Sequence, residues 1–282
     1  MTTATGLGGL AILLWSLLAL LTVGASEIPP LQLNAMCFAL ATGIGVAWIT
    51  ATRSWGKLRG IPLAAGAVGV VGLAGYHLLY FLALRNAPPA EAGIIAYLWP
   101  LLIVIFSGLL PGEQLRLGHV LGALMGLAGA VALVWAQLFS GSDAWLGYGL
   151  ALACALTWSG YSVLSRRFGS VPTAAVTVYC AAAAVLSAAG SALLEETLWP
   201  RDASTWIATA ALGLGPVGLA FFLWDHGMKR GNIQLLGVLS YAAPLLSTLT
   251  LVLAGVADPT PALLLAAILI SGGAAIAARA SR

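Results

Sequence analysis

The sequence predicts an all-α membrane protein: ten transmembrane helices in two five-helix inverted-topology repeats, with both termini cytoplasmic. Three observations carry that expectation. Hydrophobic residues fill 61% of the 282 positions and charged residues only 7%, with a mean hydropathy of +1.00, more than a water-soluble chain of this size tolerates. Leu/Ala/Gly/Val runs of about 20 residues, enough to cross a hydrocarbon core as helices, recur throughout, and the period-two alternation of an outer-membrane barrel is absent. Finally, Tyr97-Leu98-Trp99-Pro100-Leu101-Leu102 returns 144 residues later as Tyr241-Ala242-Ala243-Pro244-Leu245-Leu246.

Dividing the chain at its charge and Pro/Gly/Asp clusters places the spans in order. They begin near Gly8, Leu31, Ile61, Ala90, Leu117, Ala144, Thr173, Thr205, Asn232 and Thr260. The breaks are Ser26 to Pro30, Arg53 to Arg59, Arg85 to Pro89, Pro111 to Arg116, Ser140 to Asp143, Arg166 to Val171, Glu195 to Asp202, Lys229 to Gly231, and Asp258-Pro259. None is long enough for a soluble domain. The first apolar run lacks a basic leader and precedes nine more, so it reads as a spanning helix and not a cleaved signal.

Charge sets the orientation. Ten of the twelve basic residues fall on the N-terminal side of the membrane, leaving only Arg85 and Arg201 opposite. Basic residues stay cytoplasmic, so the protein is expected N-in and C-in. Glu27, Glu91, Asp143, Glu195, Glu196, Asp202 and Asp258 gather on the other face. The net charge of +3 thus reflects topology and gives no reason to expect a nucleic-acid partner.

The repeat extends beyond the Tyr-x-x-Pro runs. Gly129 and Gly273 share the 144-residue offset, while Trp15/Trp158, Ser16/Ser159, Pro29/Pro172 and Cys37/Cys180 share one of 143. One residue of slippage in a loop reconciles them. Residues 1–142 then form the first repeat and 143–282 the second, in one integrated membrane domain. Five helices is an odd number, so the second repeat enters from the opposite side, the organisation of many secondary transporters. Duplication without transport, as in a scaffold, is the plainer alternative.

The ten-helix pattern, Trp-Ser in the first helix of each half, and Ala83-Leu84-Arg85-Asn86-Ala87-Pro88-Pro89-Ala90-Glu91-Ala92 leading into Tyr97-x-x-Pro100 resemble the drug/metabolite transporter superfamily, EamA-type. The resemblance covers the whole chain, and within the superfamily it is nearest to the bacterial aromatic amino acid exporters. It implies an inner-membrane carrier that exports Phe, Tyr, Trp and similar compounds. One departure matters. The related four-helix multidrug proteins carry a membrane-embedded Glu in their first helix, whereas this helix reads Ala11-Ile12-Leu13-Leu14-Trp15-Ser16, which argues against proton-coupled cation efflux by that route.

Polar and aromatic groups inside the spans are the candidate site, because burying them in a bilayer is costly. Tyr76, His77 and Tyr80 share one helix face by their spacing. They line a cavity mouth or, on the plainer reading, form an interfacial belt with His77 as an interhelical hydrogen bonder. Tyr97 and Trp99 precede Pro100, and Ser240 and Tyr241 precede Pro244. The two prolines are the expected helix hinges, whose freed carbonyls would meet a substrate ammonium while the aromatics stack on a ring. On a continuous helix Tyr97 and Trp99 lie about 200° apart, so one of them faces protein or lipid. Trp15 and Trp158 are too deep to be belt residues, and Tyr161 joins Trp158 on one face; packing accounts for them nearly as well. Trp55, Trp145, Trp199 and Trp206 lie at span ends as belt anchors.

The Gly66/Gly69/Gly72/Gly75 and Gly118/Gly122/Gly126 series read as packing faces. Asp225-His226, beside Lys229 and Arg230, reads as a solvated helix end, with a gate latch as the sharper alternative. Cys37, Cys154 and Cys180 lack C-x-x-C spacing and read as packing residues with no metal or disulfide. No H-E-x-x-H, Walker A or G-x-S-x-G pattern occurs, so neither an enzyme, a nucleotide nor a cofactor is expected. No Asp, Glu, Lys or Arg lies well inside a predicted span, which leaves downhill facilitation, His77 or a bound ion to drive transport. The expected function is alternating-access export of aromatic amino acids within membrane lipid. Export of other amino acids, purines or drugs is the alternative of the same class, and a scaffold or lipid-handling protein that of another.

Overall fold

In a computed structural model of the protein, residues 2–135, 144–255 and 258–281 are described. The expected Ser140–Asp143 break and the 142/143 boundary lie outside them. Every regular element among the described residues is helical. Within them, seven helical stretches are long and apolar enough to cross a bilayer: Thr3–Gly24, Pro30–Ala51, Leu63–Asn86, Thr173–Leu194, Ala203–Arg230, Ile233–Leu253 and Pro261–Ala280. Two shorter apolar helices, Glu91–Ser107 and Leu117–Leu133, lie between them, with the longer but more polar Trp145–Arg167.

Several of these stretches are interrupted, and the interruptions organise the molecule. Helix α1 (Thr3–Trp15) starts at Thr2, whose hydroxyl accepts the Thr5 N–H, and gives way to α2 (Leu18–Gly24) after a turn at Ser16-Leu17. Helix α3 (Pro30–Ala51) begins on a proline, where no amide hydrogen is missed. Helices α4 (Leu63–Val70) and α5 (Tyr76–Asn86) are joined by a π-wound turn at Val71–Gly75. Helices α6 (Pro89–Ala96) and α7 (Trp99–Ser107) part at Tyr97-Leu98, before α8 (Leu117–Val134).

The second half repeats much of this. Helix α9 (Trp145–Arg167) is unbroken, and α10 (Val176–Leu194) follows a 3₁₀ turn at Thr173–Ala175. Helices α11 (Ala203–Leu214) and α12 (Ala220–Arg230) flank a π turn at Gly215–Leu219, 144 residues beyond the first. Pro216 has no N–H to return to the preceding turn, and the wider winding absorbs the misfit. Helices α13 (Ile233–Leu239) and α14 (Ala242–Leu253) part at Ser240-Tyr241, and α15 (Pro261–Ala280) closes the chain.

Both conserved-offset prolines therefore sit in the first turn of a new helix, Pro100 in α7 and Pro244 in α14. The expectation of a kink with a freed carbonyl needs correction in the second half, because the Ser240 carbonyl accepts the Ala243 N–H at 3.1 Å. The break releases the amide demand, and a tight turn takes up the acceptor.

Small residues bring equivalent helices together antiparallel. Along α8 and α15, Gly118 lies against Ala280, Gly122 against Gly273, and Gly129 against Ile270. A Cβ on Gly122 would stand 2.5 Å from the Gly273 carbonyl oxygen, so only glycine permits this approach. Between α3 and α10, the Asn34 amide donates to Ser187 Oγ at 2.8 Å near one end, and Gly45 lies beneath Thr177 near the other. In a bilayer, where apolar burial adds little between helices, such close backbone contact and interhelical hydrogen bonding supply the association.

Candidate functional site

Where α1, α5, α7, α9 and α12 converge, aromatic rings form a continuous cluster. Trp15 contacts Trp224 (centroids 5.0 Å), Trp158 (5.8 Å) and Trp99 (6.2 Å). Tyr76 meets Trp158 at 5.3 Å and stacks on Tyr80 at 6.1 Å. Phe221 joins Trp158 at 5.7 Å and His77 at 6.1 Å, and Phe38 stacks on Phe221 at 5.8 Å. Most pairs are edge-on or tilted, the arrangement the ring quadrupole favours, worth about 0.5–1.5 kcal/mol per pair beyond area.

The π turns fix two of these groups. The His77 Nδ1–H donates to the Leu73 carbonyl at 2.7 Å, which leaves Nε2 as the outward nitrogen. In the other half the Trp15 Nε1–H donates to the Pro216 carbonyl at 3.0 Å. Each π turn thus offers a carbonyl to a cluster side chain. Trp224 is anchored by its Nε1–H to Ser162 Oγ at 3.1 Å.

Burial divides the cluster. Trp99, Trp158 and Trp224 are buried, whereas Tyr76, His77, Tyr80 and Tyr97 are half-buried. Tyr97 ends the α6 stretch at the break before α7. The chain turns at Tyr97-Leu98 between α6 and α7, and Trp99 is the residue of the pair whose ring contacts join the cluster.

The remaining expected residues lie elsewhere. Ser240 is buried with its hydroxyl donating to the Leu236 carbonyl at 2.8 Å. Tyr241 is fully buried against Gly126, in a core with Val104, Val238 and Ile270. These two pack the interface of α13 with α7 and α8 and do not meet the aromatic cluster. Tyr161 is tied to it through Trp158 at 5.3 Å, with its ring against Gly72.

Sequence reasoning missed Phe38, Phe221 and Trp224. A signal for two of them was present: adding 144 to His77 and Tyr80 gives Phe221 and Trp224.

The end carrying most of the basic residues is cross-linked by polar contacts. Arg166 pairs with Glu113 and donates to the carbonyls of Met228 (3.2 Å) and Gly231 (2.7 Å), while Gln234 donates to the second Glu113 oxygen at 3.0 Å. The solvated helix end expected at Asp225 is overturned. The side chains of Lys229 and Asp225 are 4% and 0% exposed and 2.8 Å apart; Thr173 donates to Asp225 at 2.8 Å, and Lys229 to the Val171 carbonyl at 3.0 Å. The Thr173–Ala175 turn and Val171 before it fold over this pair. At the opposite end, Glu195 accepts the N–H groups of Leu31 and Gln32 at 2.9 and 3.0 Å, and Tyr148 donates to Glu91.

Comparison with known proteins bears on this arrangement. The EamA-like transporter family matches residues 4–135 and 145–279, nearly the whole chain in two repeats. The chain belongs to that family. It is a transporter of EamA type and not an enzyme. A protein of Ancylobacter novellus named aromatic amino acid exporter YddG is 52% identical over 284 residues, covering 100% of this chain and 99% of its own. A Salmonella typhimurium protein of the same name is 28% identical, covering 87% of this chain and 86% of its own. A crystal structure 54% identical in sequence superposes with a TM-score of 0.94, over 99% of this chain and 97% of that one. The aromatic cluster draws residues from both matched repeats.

Proposed function

We propose that this EamA-family protein exports aromatic amino acids by alternating access. The observation that carries the reading is the aromatic cluster itself: buried tryptophans from both repeats form one wall, and half-buried Tyr76, His77 and Tyr80 the other. An aromatic side chain lies against Trp99 and Trp158, while phenol hydroxyls and His77 Nε2 meet the zwitterionic head. The cluster contains no Asp, Glu, Lys or Arg, which suits a substrate without net charge.

In this reading the chain has ten spans in two inverted repeats, 1–142 and 143–282, and sits N-in and C-in in a bacterial inner membrane, surrounded by lipid. The antiparallel approaches of α8 to α15 and α3 to α10 support inversion, and the basic residues support the orientation. The structure then corresponds to an outward-open state. At the basic end Gly237 of α13 closes on α7, where a Cβ would stand 3.2 Å from the Pro100 oxygen. Its equivalent at the 144-residue offset, Gly93 of α6, has nothing within 4 Å.

Proteoliposome counterflow with labelled Phe, Trp, Thr and a purine tests the substrate. Flux of Phe and Trp above Thr and the purine is expected. Flux of the purine or Thr alone would assign the export of other compounds, and no flux of any solute would favour a scaffold or lipid-handling role.

A further inference from the structure

A cavity of about 240 Å³ opens at the basic end, away from the aromatic cluster, between the C-terminus of α3, the Trp55–Leu58 turn, the Thr173–Ala175 turn and the end of α12. Its lining includes Trp48, Thr52, Lys57, Thr173, His226 and Arg230. The charge balance is one-sided. Neither Lys57 nor Arg230 joins an ion pair among the described residues, and the neighbouring carboxylate, Asp225, is already engaged by Lys229 and Thr173. Two uncompensated cations and an imidazole therefore share a recess with room for a small polar group and water.

We infer that this recess binds the phosphodiester head group of an anionic membrane lipid. Phosphate offers the charge and acceptor oxygens that Lys57, Arg230 and His226 lack. The lipid source follows from position. The recess lies where the apolar stretch Pro30–Ala51 ends, and its rim is Trp48, 44% exposed and packed edge-on against Phe222 at 6.0 Å. A half-exposed tryptophan at the end of a span marks the membrane interface, and basic pockets between helices at that depth take acidic head groups. This assignment does not depend on what the protein transports.

Native mass spectrometry of the delipidated full chain tests it, with phosphatidylglycerol, phosphatidylcholine and inorganic phosphate as separate probes. Phosphatidylglycerol occupancy should exceed that of phosphatidylcholine and fall about tenfold in Lys57→Gln/Arg230→Gln. It should hold in Lys57→Arg/Arg230→Lys and in Arg53→Gln/Arg59→Gln, which removes the same charge from the nearby surface. Equal losses in the two glutamine pairs would reduce the effect to diffuse surface charge and overturn the site. So would equal binding of the two lipids. Phosphate that binds alone and displaces phosphatidylglycerol would reassign the recess to a soluble anion and overturn the lipid source.

Discussion

Tyr80 carries much of the reading at the scale of single residues, because it is half-buried with its ring stacked on Tyr76. Tyr80→Phe keeps the stack and removes one hydroxyl. If that hydroxyl meets the substrate head, KM for aromatic amino acids should rise about fivefold to tenfold, the worth of one hydrogen bond, with the thermal midpoint unchanged; counterflow titration reads both KM and maximal flux. Asp225 is a different kind of residue, an ion-pair partner sealed from water with Lys229. Asp225→Asn leaves the ammonium buried without its counter-charge, and the loss should be about 3–5 kcal/mol. Adding Lys229→Met should restore much of it, and thermal unfolding in detergent measures both. The sequence exposed Tyr80 through its spacing from Tyr76, but it concealed Asp225: adjacency to Lys229 and Arg230 reads as a wet helix end, and only the fold brings the Thr173–Ala175 turn over it.

At the scale of elements, small residues set how closely helices approach. A methyl on Gly122 would press on the Gly273 carbonyl, which is backbone and cannot rotate away, so Gly122→Ala should cost about 1–3 kcal/mol through overpacking. Gly66→Ala, where nothing lies within 4 Å, should leave the thermal midpoint unaltered. The start of α11 depends on Asp202, which accepts from Ser204 and from the Thr205 hydroxyl and N–H, and these bonds hold its carboxyl down at about 2. Because the folded value is depressed, the cap's contribution is complete above the ordinary value of 3.8 and is lost as pH falls through about 2. Amide exchange at Thr205 should accelerate in that window relative to Thr209, and Asp202→Asn should shift that response. Hydropathy located most helices within a few residues, yet it gave no sign of the π turns at Val71–Gly75 and Gly215–Leu219.

For the whole molecule, the departure from symmetry between Gly237 and Gly93 states what alternating access requires. In the opposite state α6 should close on α14 as α13 now closes on α7. Gly93→Val fits the open space of the present state but crowds the closed counterpart, so counterflow should fall roughly tenfold while aromatic amino acid binding and thermal stability hold. Gly237→Val should do the reverse, destabilising the present state, since a Cβ there lies 2.8 Å from Val104 Cγ2. Loss of binding in Gly93→Val would sink this account of the hinge.

By itself the sequence determined the membrane class, the helical spans, the repeat and most of the aromatic residues, because hydropathy, charge and spacing act along the chain and are readable one segment at a time. Only the tertiary structure decided which aromatics meet. Trp99 meets Trp15, Trp158 and Trp224 across helices, Tyr241 is drawn away to Gly126, and Phe221 and Trp224 complete a wall that no local pattern announced. Which faces close in a membrane bundle depends on how nearly two backbones can approach, and that is a property of pairs of helices.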